Sequence, residues 1–364
     1  SPYGIGTFGK AAYEFVDFLV QSGQRWWQIL PLGPTSYGDS PYQSPSVHAG
    51  NPYFIDLEIL IKEGLLQHEE VESAFWGSDP EQADYGALYE HRLALLKKAT
   101  ERGWMRDLDK VQAFERENDT WLPDYALFMA LKRHFGMKAW LEWPDRDIRF
   151  HEAGAVERYR NELAEDIKLF IYIQYLFFEQ WKHLRAYAKE NGVQILGDIA
   201  FYVALDSADV WSEPDNFQLD EERRPRCVAG VPPDYFSEDG QLWGNPLYDY
   251  NYMRNQNFSW WIRRIGSAEK LYDAVRIDHF RAMENYWAVP SGEKTARNGH
   301  WEKGPGMDLL GRLKGWFKTL NFVAEDLGSY SEEVEALLKE SGFPGMKVLE
   351  FAFAPDEDIC RTAM

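Results

Sequence analysis

Short apolar runs that end in polar residues recur along the chain with helical segments between them, and this alternation narrows the fold more than any other feature. "RWWQILPLGP" (25–34), "VQILGDIAFYV" (193–203), "YDAVRIDHF" (272–280), "FVAEDLG" (322–328) and "MKVLEFAF" (346–353) read as strands. "GKAAYEFVDFLVQSG" sets Phe15, Phe18 and Leu19 at helical spacing and stops at Gly23. A second helical stretch puts Leu163, Ile167, Phe170 and Ile171 on one side and stops at Gly192. Helix–strand alternation implies a parallel sheet, open or closed. Polar chemistry falls toward the carboxyl end of the runs, at Asp39, Asp206, Asp278, Glu325 and Glu350. A TIM (β/α)8 barrel builds its site from the loops at those ends. An open doubly wound sheet does so too, but it usually declares a glycine-rich phosphate loop, and no GxGxxG follows a strand here.

The expected fold is therefore α/β, a TIM barrel with helical and loop insertions. Residues 1–57 would start the catalytic barrel, 58–155 form a mostly helical insertion, and 156–205 return to the barrel. Residues 206–258, rich in Pro, Asp, Gly and aromatics, would be a loop-rich insertion covering the substrate, and 259–364 would continue the barrel.

A formal net charge of -20 over 364 residues argues against nucleic acid and against anionic membrane surfaces as partners. No apolar run reaches the roughly 18 residues of a membrane span. Cys227 and Cys360 lie far apart with no CxxC or Cys/His ligand spacing, which points to no disulfide scaffold, no metal and a reducing, cytoplasmic compartment. The 15 Trp, 20 Tyr and 22 Phe exceed what a core needs and hint at a cleft for sugar rings.

Strand alternation places Arg276 and Asp278 on one face and Val275 and Ile277 on the other. A guanidinium beside Asp278 would hold that carboxylate ionised, as a covalent nucleophile requires, although a structural ion pair is an equal reading of the pair alone. Glu325 lies at the mouth of the next run, so the proton is expected on Glu325. Two carboxylates with separated proton affinities suit glycosidic-bond cleavage, and neighbouring strands suit its retaining form. Asp326 faces the other way and is expected to be structural. Tyr37, Asp39 and Tyr42 sit in a loop stiffened by Gly and Pro, a plausible sugar platform or simply a packed loop. Asp234, Tyr235, Phe236, Gln241, Trp243 and Asn245 form a segment too polar for a core, read as a lid that excludes water. His279 adjoins Asp278 and is expected to reach a substrate hydroxyl.

"SPYGIGTFG", "WWQILPLGPTSYGDSPYQSPSVHAGNPYFIDL", "GDIAFYVALDSADVW", "GVPPDYFSEDGQLWGNPLYDY", "AVRIDHFRA" and "VAEDLG" together resemble the 4-α-glucanotransferases. These are also called amylomaltases or disproportionating enzymes, glycoside hydrolase family 77 of the α-amylase clan. The likeness runs from Ser1 to about Phe353. It implies action on α-1,4-glucans without a cofactor, with Asp278 as nucleophile, Glu325 as acid/base and Arg276 as the nucleophile's partner. Asp234, Gln241 and Trp243 match the family's mobile loop, and Tyr37, Asp39 and Tyr42 its first substrate loop. Asp198, within "GDIAFYV", is expected among the substrate contacts. The implied partners are maltooligosaccharides, amylose or glycogen-derived glucans, and glucose as acceptor.

Two departures stand out. Ala282 and Met283 follow Arg281 where the family usually has "HFRG", which should alter packing behind the site. The family's third essential Asp, in a "His-Asp-Asn/Thr" segment, its opening "HPTSLP" strand and its last barrel strands are not found in these residues. The chain is expected to be a piece of a longer enzyme, exposing sheet edges when isolated. An α-amylase-type hydrolase and a non-catalytic glucan-binding protein remain alternatives.

Overall fold

The structure is a computed structural model and describes residues 3–36, 38–79, 81–234, 237–327, 331–349 and 353. The chain forms two compact units. One comprises Ser1–Trp27, Leu32–Gln194 and Asp206–Ser212; the other comprises Gln28–Pro31, Ile195–Leu205 and Glu213–Met364.

The first unit is helical. Its main helices among the described residues are α1 (Lys10–Gln21), α2 (Tyr85–Gly103), α3 (Leu108–Glu117), α4 (Leu122–His134) and α5 (Ala164–Glu190). α5 is the axis on which α2, α3 and α4 pack, and it is buried on every side from Leu169 to Phe177. Two glutamines interrupt that apolar surface. Gln174 takes the Gly50 N–H at 2.7 Å and gives its own N–H to the Gly50 carbonyl at 2.9 Å. Gln180 repeats the pattern on Asp56, at 2.7 and 3.2 Å. Each buried amide thus satisfies one backbone residue of the incoming loop. On α1, Val16 and Leu19 are the buried positions, whereas Phe15 and Phe18 stack on one another and stay largely exposed.

The described residues form two sheets. Strands β1 (Trp26–Gln28), β2 (Gln194–Ile199), β5 (Ala274–Ile277) and β8 (Asn321–Ala324) form a four-stranded sheet in the order β1-β2-β5-β8. β2 and β5 are parallel with Asp198 opposite Arg276, and β5 and β8 are parallel with Ile277 opposite Ala324. Val275 and Ile277 are fully buried, as a strand covered on one face by helices requires. Helix α6 (Ser259–Leu271) leads into β5, α7 (Met307–Trp316) into β8, and α8 (Glu332–Ser341) follows it. This is the α/β alternation expected from the sequence. The described residues give four strands of it. The run read as a strand at 346–353 forms no strand in its described residues, 346–349 and 353; residues 350–352 lie outside the described residues, and just before the run Gly345 bridges Ala324.

The second sheet draws part of the loop-rich stretch 206–258 into strands. Strands β3 (Cys227–Val231) and β4 (Gln241–Pro246) form a hairpin there. β6 (Asn285–Pro290) pairs antiparallel with β3, and β7 (His300–Lys303) with β6. Short strands rich in Gly and Pro carry too little alternation to declare themselves, and pairing partners some 60 residues away complete them. At the hairpin turn Gly240 has φ +66, and a Cβ there would meet the Val231 carbonyl oxygen at 2.3 Å. Only glycine fits that turn.

Candidate active site

The charged alternation within β5 resolves into a three-residue network. Arg276 Nη1 donates to Asp278 Oδ1 at 2.8 Å and to both oxygens of Asp198 at 2.8 and 2.9 Å. Asp198 arrives from β2 in direct register and is buried. Arg276 Nε points elsewhere, to the Met346 sulfur at 3.1 Å. Burial works against the charged guanidinium, but Asp198 and then Asp278 outweigh it and hold Arg276 firmly protonated.

Opposing influences act on Asp278. Burial pushes its carboxyl up from 3.8 to about 6; Arg276 pulls it back, while Asp198 and Glu325 push it further up. The guanidinium is shared with Asp198, so it cannot fully offset the desolvation. The Asp278 carboxyl is therefore held above the usual carboxylate range although a guanidinium touches it.

Glu325 lies one residue beyond the end of β8 and is fastened to the end of β5. Its N–H donates to the Ile277 carbonyl at 3.0 Å, and its own carbonyl accepts the Phe280 N–H at 3.1 Å. Its side chain accepts the N–H groups of His279 at 2.9 Å and Leu327 at 2.8 Å. Asp278 and Glu325 thus sit at the carboxyl ends of two neighbouring, register-paired strands.

His279 turns the chain. It has φ 48, a left-handed conformation, and heads the 3₁₀ turn Phe280–Met283. Its ring meets the Trp243 ring edge-to-face at 4.8 Å and lies 6.4 Å from that of Tyr202. Burial pushes its imidazole down to about 4, Arg281 adding to the effect, so the ring is neutral near pH 7. Ala282 is fully buried inside the turn, with its carbonyl close against Gly304.

The hairpin segment supplies Trp243, whose Nε1 donates to Gln241 Oε1 at 3.1 Å. Asn245 is buried and spends one N–H on the Val203 carbonyl at 2.7 Å, a fixing contact for β4. Asp234 closes the turn before Gly240 by accepting the Ser237 N–H at 2.8 Å. Tyr235 and Phe236 lie outside the described residues, as do Tyr37 and Glu350.

Asp39 and Tyr42 belong to the first unit. Asp39 is exposed, has φ 54 and donates its N–H to the Ser36 carbonyl at 3.0 Å; the Tyr42 N–H donates to Ser40 Oγ at 3.3 Å. Asp206, grouped with the strand-end acids on sequence grounds, is bound by Lys132 Nζ and by the Trp140 N–H at 3.1 Å. That pairing within the first unit makes it a structural acid. Asp326 accepts the Met346 N–H at 2.8 Å and is structural, as expected. Tyr202 and Met346 carried no sequence signal, since an aromatic or a methionine in an apolar run reads as core.

Among the described residues no group of three or more His, Cys, Asp or Glu is placed to hold a metal ion, and no helix is long and apolar enough to cross a membrane.

Comparison with known proteins adds an independent line. The sequence profile described as 4-alpha-glucanotransferase (glycoside hydrolase family 77) matches residues 1–363. A 4-alpha-glucanotransferase of Streptococcus pneumoniae is 49% identical over 98% of this chain and 71% of its own length. One from Clostridium butyricum is 50% identical over 97% of this chain and 73% of its own. The amylomaltase of Streptococcus agalactiae, solved in complex with acarbose, superposes with a TM-score of 0.95 at 45% identity, over 98% of this chain and 72% of that one. With a profile spanning nearly every residue and relatives near half identity, the chain belongs to the 4-alpha-glucanotransferase family.

Proposed function

We propose that the chain transfers α-1,4-glucan segments between maltooligosaccharides, or to glucose, by a retaining double displacement at Asp278 and Glu325. The observation that carries this reading is the placement of these two acids at adjacent strand ends, with Arg276 between Asp278 and Asp198. Asp278 attacks the anomeric carbon while Glu325 protonates the leaving oxygen, giving a covalent glycosyl ester. Glu325 then takes the proton from the 4-hydroxyl of an acceptor sugar, whose oxygen displaces Asp278 and restores the α-linkage. The leaving oxygen of a bound glucan is the atom to which Glu325 gives its proton in that first step.

Neutral His279, edge-on to Trp243, supplies an uncharged donor for a sugar hydroxyl and a wall beside it. Asp198 acts through Arg276, Asn245 through the seating of β4. Gln241, Asp234, Tyr235 and Phe236 belong to the segment that closes over the substrate, with Asp39, Tyr42 and Tyr37 as the other substrate loop. The parallel sheet is part of a TIM barrel of the α-amylase clan, residues 58–155 are its helical insertion, and the enzyme works in the cytoplasm on glucans derived from starch or glycogen.

The test is product analysis after incubating the purified enzyme with maltotriose. A ladder of longer oligosaccharides with released glucose is expected, and Asp278→Asn lowers the rate by roughly 10³-fold or more while glucan binding persists. Products limited to glucose and maltose would identify a hydrolase. Full activity in Asp278→Asn would remove the assignment altogether.

A further inference from the structure

The Nε–H of Arg276 meets sulfur rather than oxygen. Nη1 serves Asp198 and Asp278, whereas Nε–H is directed to the Met346 thioether at 3.1 Å. Sulfur of this kind is a weak acceptor, so its presence against a charged guanidinium calls for a device that puts it there.

That device is visible. The Met346 N–H donates to Asp326 Oδ1 at 2.8 Å, and the Ala324 N–H donates to the Pro344 carbonyl at 2.8 Å. Gly345 bridges Ala324, and a Cβ at this glycine would lie 2.4 Å from the Asp326 carboxylate, so only glycine lets the segment approach. Phe343 stacks on Phe322 of β8 with ring centroids 4.9 Å apart. The stretch from Phe343 to Met346 is thereby pinned along β8, and its last side chain ends on Arg276.

We propose that Met346 is a positioning residue: its sulfur fixes the plane of the Arg276 guanidinium so that one nitrogen reaches Asp198 and Asp278 together. The proposal rests on the assignment of Asp278 as the nucleophile. Three charged groups face Asp278: Asp198 from β2, Arg276 from its own strand, and Glu325 from beyond β8. Only Arg276 favours the ionised carboxylate. A guanidinium free to rotate about its stem shares itself less well between the two acids, and the Asp278 carboxyl then titrates at higher pH.

The experiment compares Met346→Leu, which keeps volume and removes the acceptor, with Met346→Gln, which supplies an oxygen. In Met346→Leu, kcat for maltotriose disproportionation is expected to fall about three- to tenfold with KM little changed, the worth of one modest hydrogen bond. The acid limb of its kcat/KM profile moves to higher pH, and Met346→Gln recovers most of the loss. In an Arg276→Lys background, which has no Nε–H, Met346→Leu has no further effect. A Met346→Leu enzyme with the parent's kcat and pH profile overturns the proposal. Equal losses in the Leu and Gln variants, or an undiminished effect in the Arg276→Lys background, also overturn it, because either result means packing alone. If Met346→Leu does not fold, Asp326→Ala releases the same segment at its anchor and must shift the acid limb in the same direction. Asp278→Asn separates the two ideas: if it leaves activity intact, the nucleophile assignment fails, whatever Met346 does.

Discussion

At the position of Asp278, burial and pairing pull in opposite directions, and the outcome sets two measurable pH dependences. The carboxyl is held at about 6, above its ordinary 3.8. A nucleophile must be ionised, so kcat/KM is expected to fall as pH drops through about 6, a limb visible in a pH–rate profile with maltotriose. The same shift acts on stability with the opposite sign. Between about pH 4 and 6 the folded chain keeps a proton that the unfolded chain has released, so Asp278 makes folding less favourable as pH rises through that window. At neutral pH the cost is about 2–3 kcal/mol. Asp278→Asn is therefore expected to raise Tm at pH 7.5 and to lose most of that advantage at pH 4. Thermal unfolding of both proteins at the two pH values checks it.

His279 offers a second test at this scale. Its imidazole is pushed down to about 4, so its NMR resonances should show no titration between pH 6 and 8. Its left-handed φ also sorts substitutions: His279→Asn keeps the turn, whereas His279→Val costs about 1–3 kcal/mol in denaturant unfolding. The alternation of Arg276 and Asp278 was legible because it is local. That Arg276 is divided between two acids was not, because Asp198 reaches it from 78 residues away.

Among the elements, the parallel strands were legible where an apolar run was bounded by a helix stop, as at Gly23 before β1 and Gly192 before β2. The hairpin of β3 and β4 was not, since its residues become strands only through pairing with each other and with β6. Its turn gives a direct test. Gly240→Ala places a Cβ against the Val231 carbonyl, and it should disturb the hairpin that carries Trp243. The expected result is a loss of more than about 1 kcal/mol in stability, together with reduced transfer. Helix α5 shows how a polar residue can serve inside a core helix. Gln174 interrupts an apolar helix and is nonetheless fully buried, because its amide completes the Gly50 backbone. Gln174→Leu leaves that N–H and carbonyl without partners, and about 2–3 kcal/mol should be lost in urea unfolding.

At the scale of the whole molecule, the route of the chain matters more than any single contact. The first unit takes in Ser1–Trp27, Leu32–Gln194 and Asp206–Ser212, and the second begins with the four residues Gln28–Pro31 enclosed between two of those segments. Neither unit is one continuous stretch. On a ribosome, the last residue of the first unit to emerge is Ser212, and residues 28–31 must wait until β2 is made before Ile29 can donate to Leu196. That interval leaves a tryptophan-rich strand without its neighbour while some 160 residues are translated. Nascent chains arrested short of Gln194 are the ones that should need a chaperone.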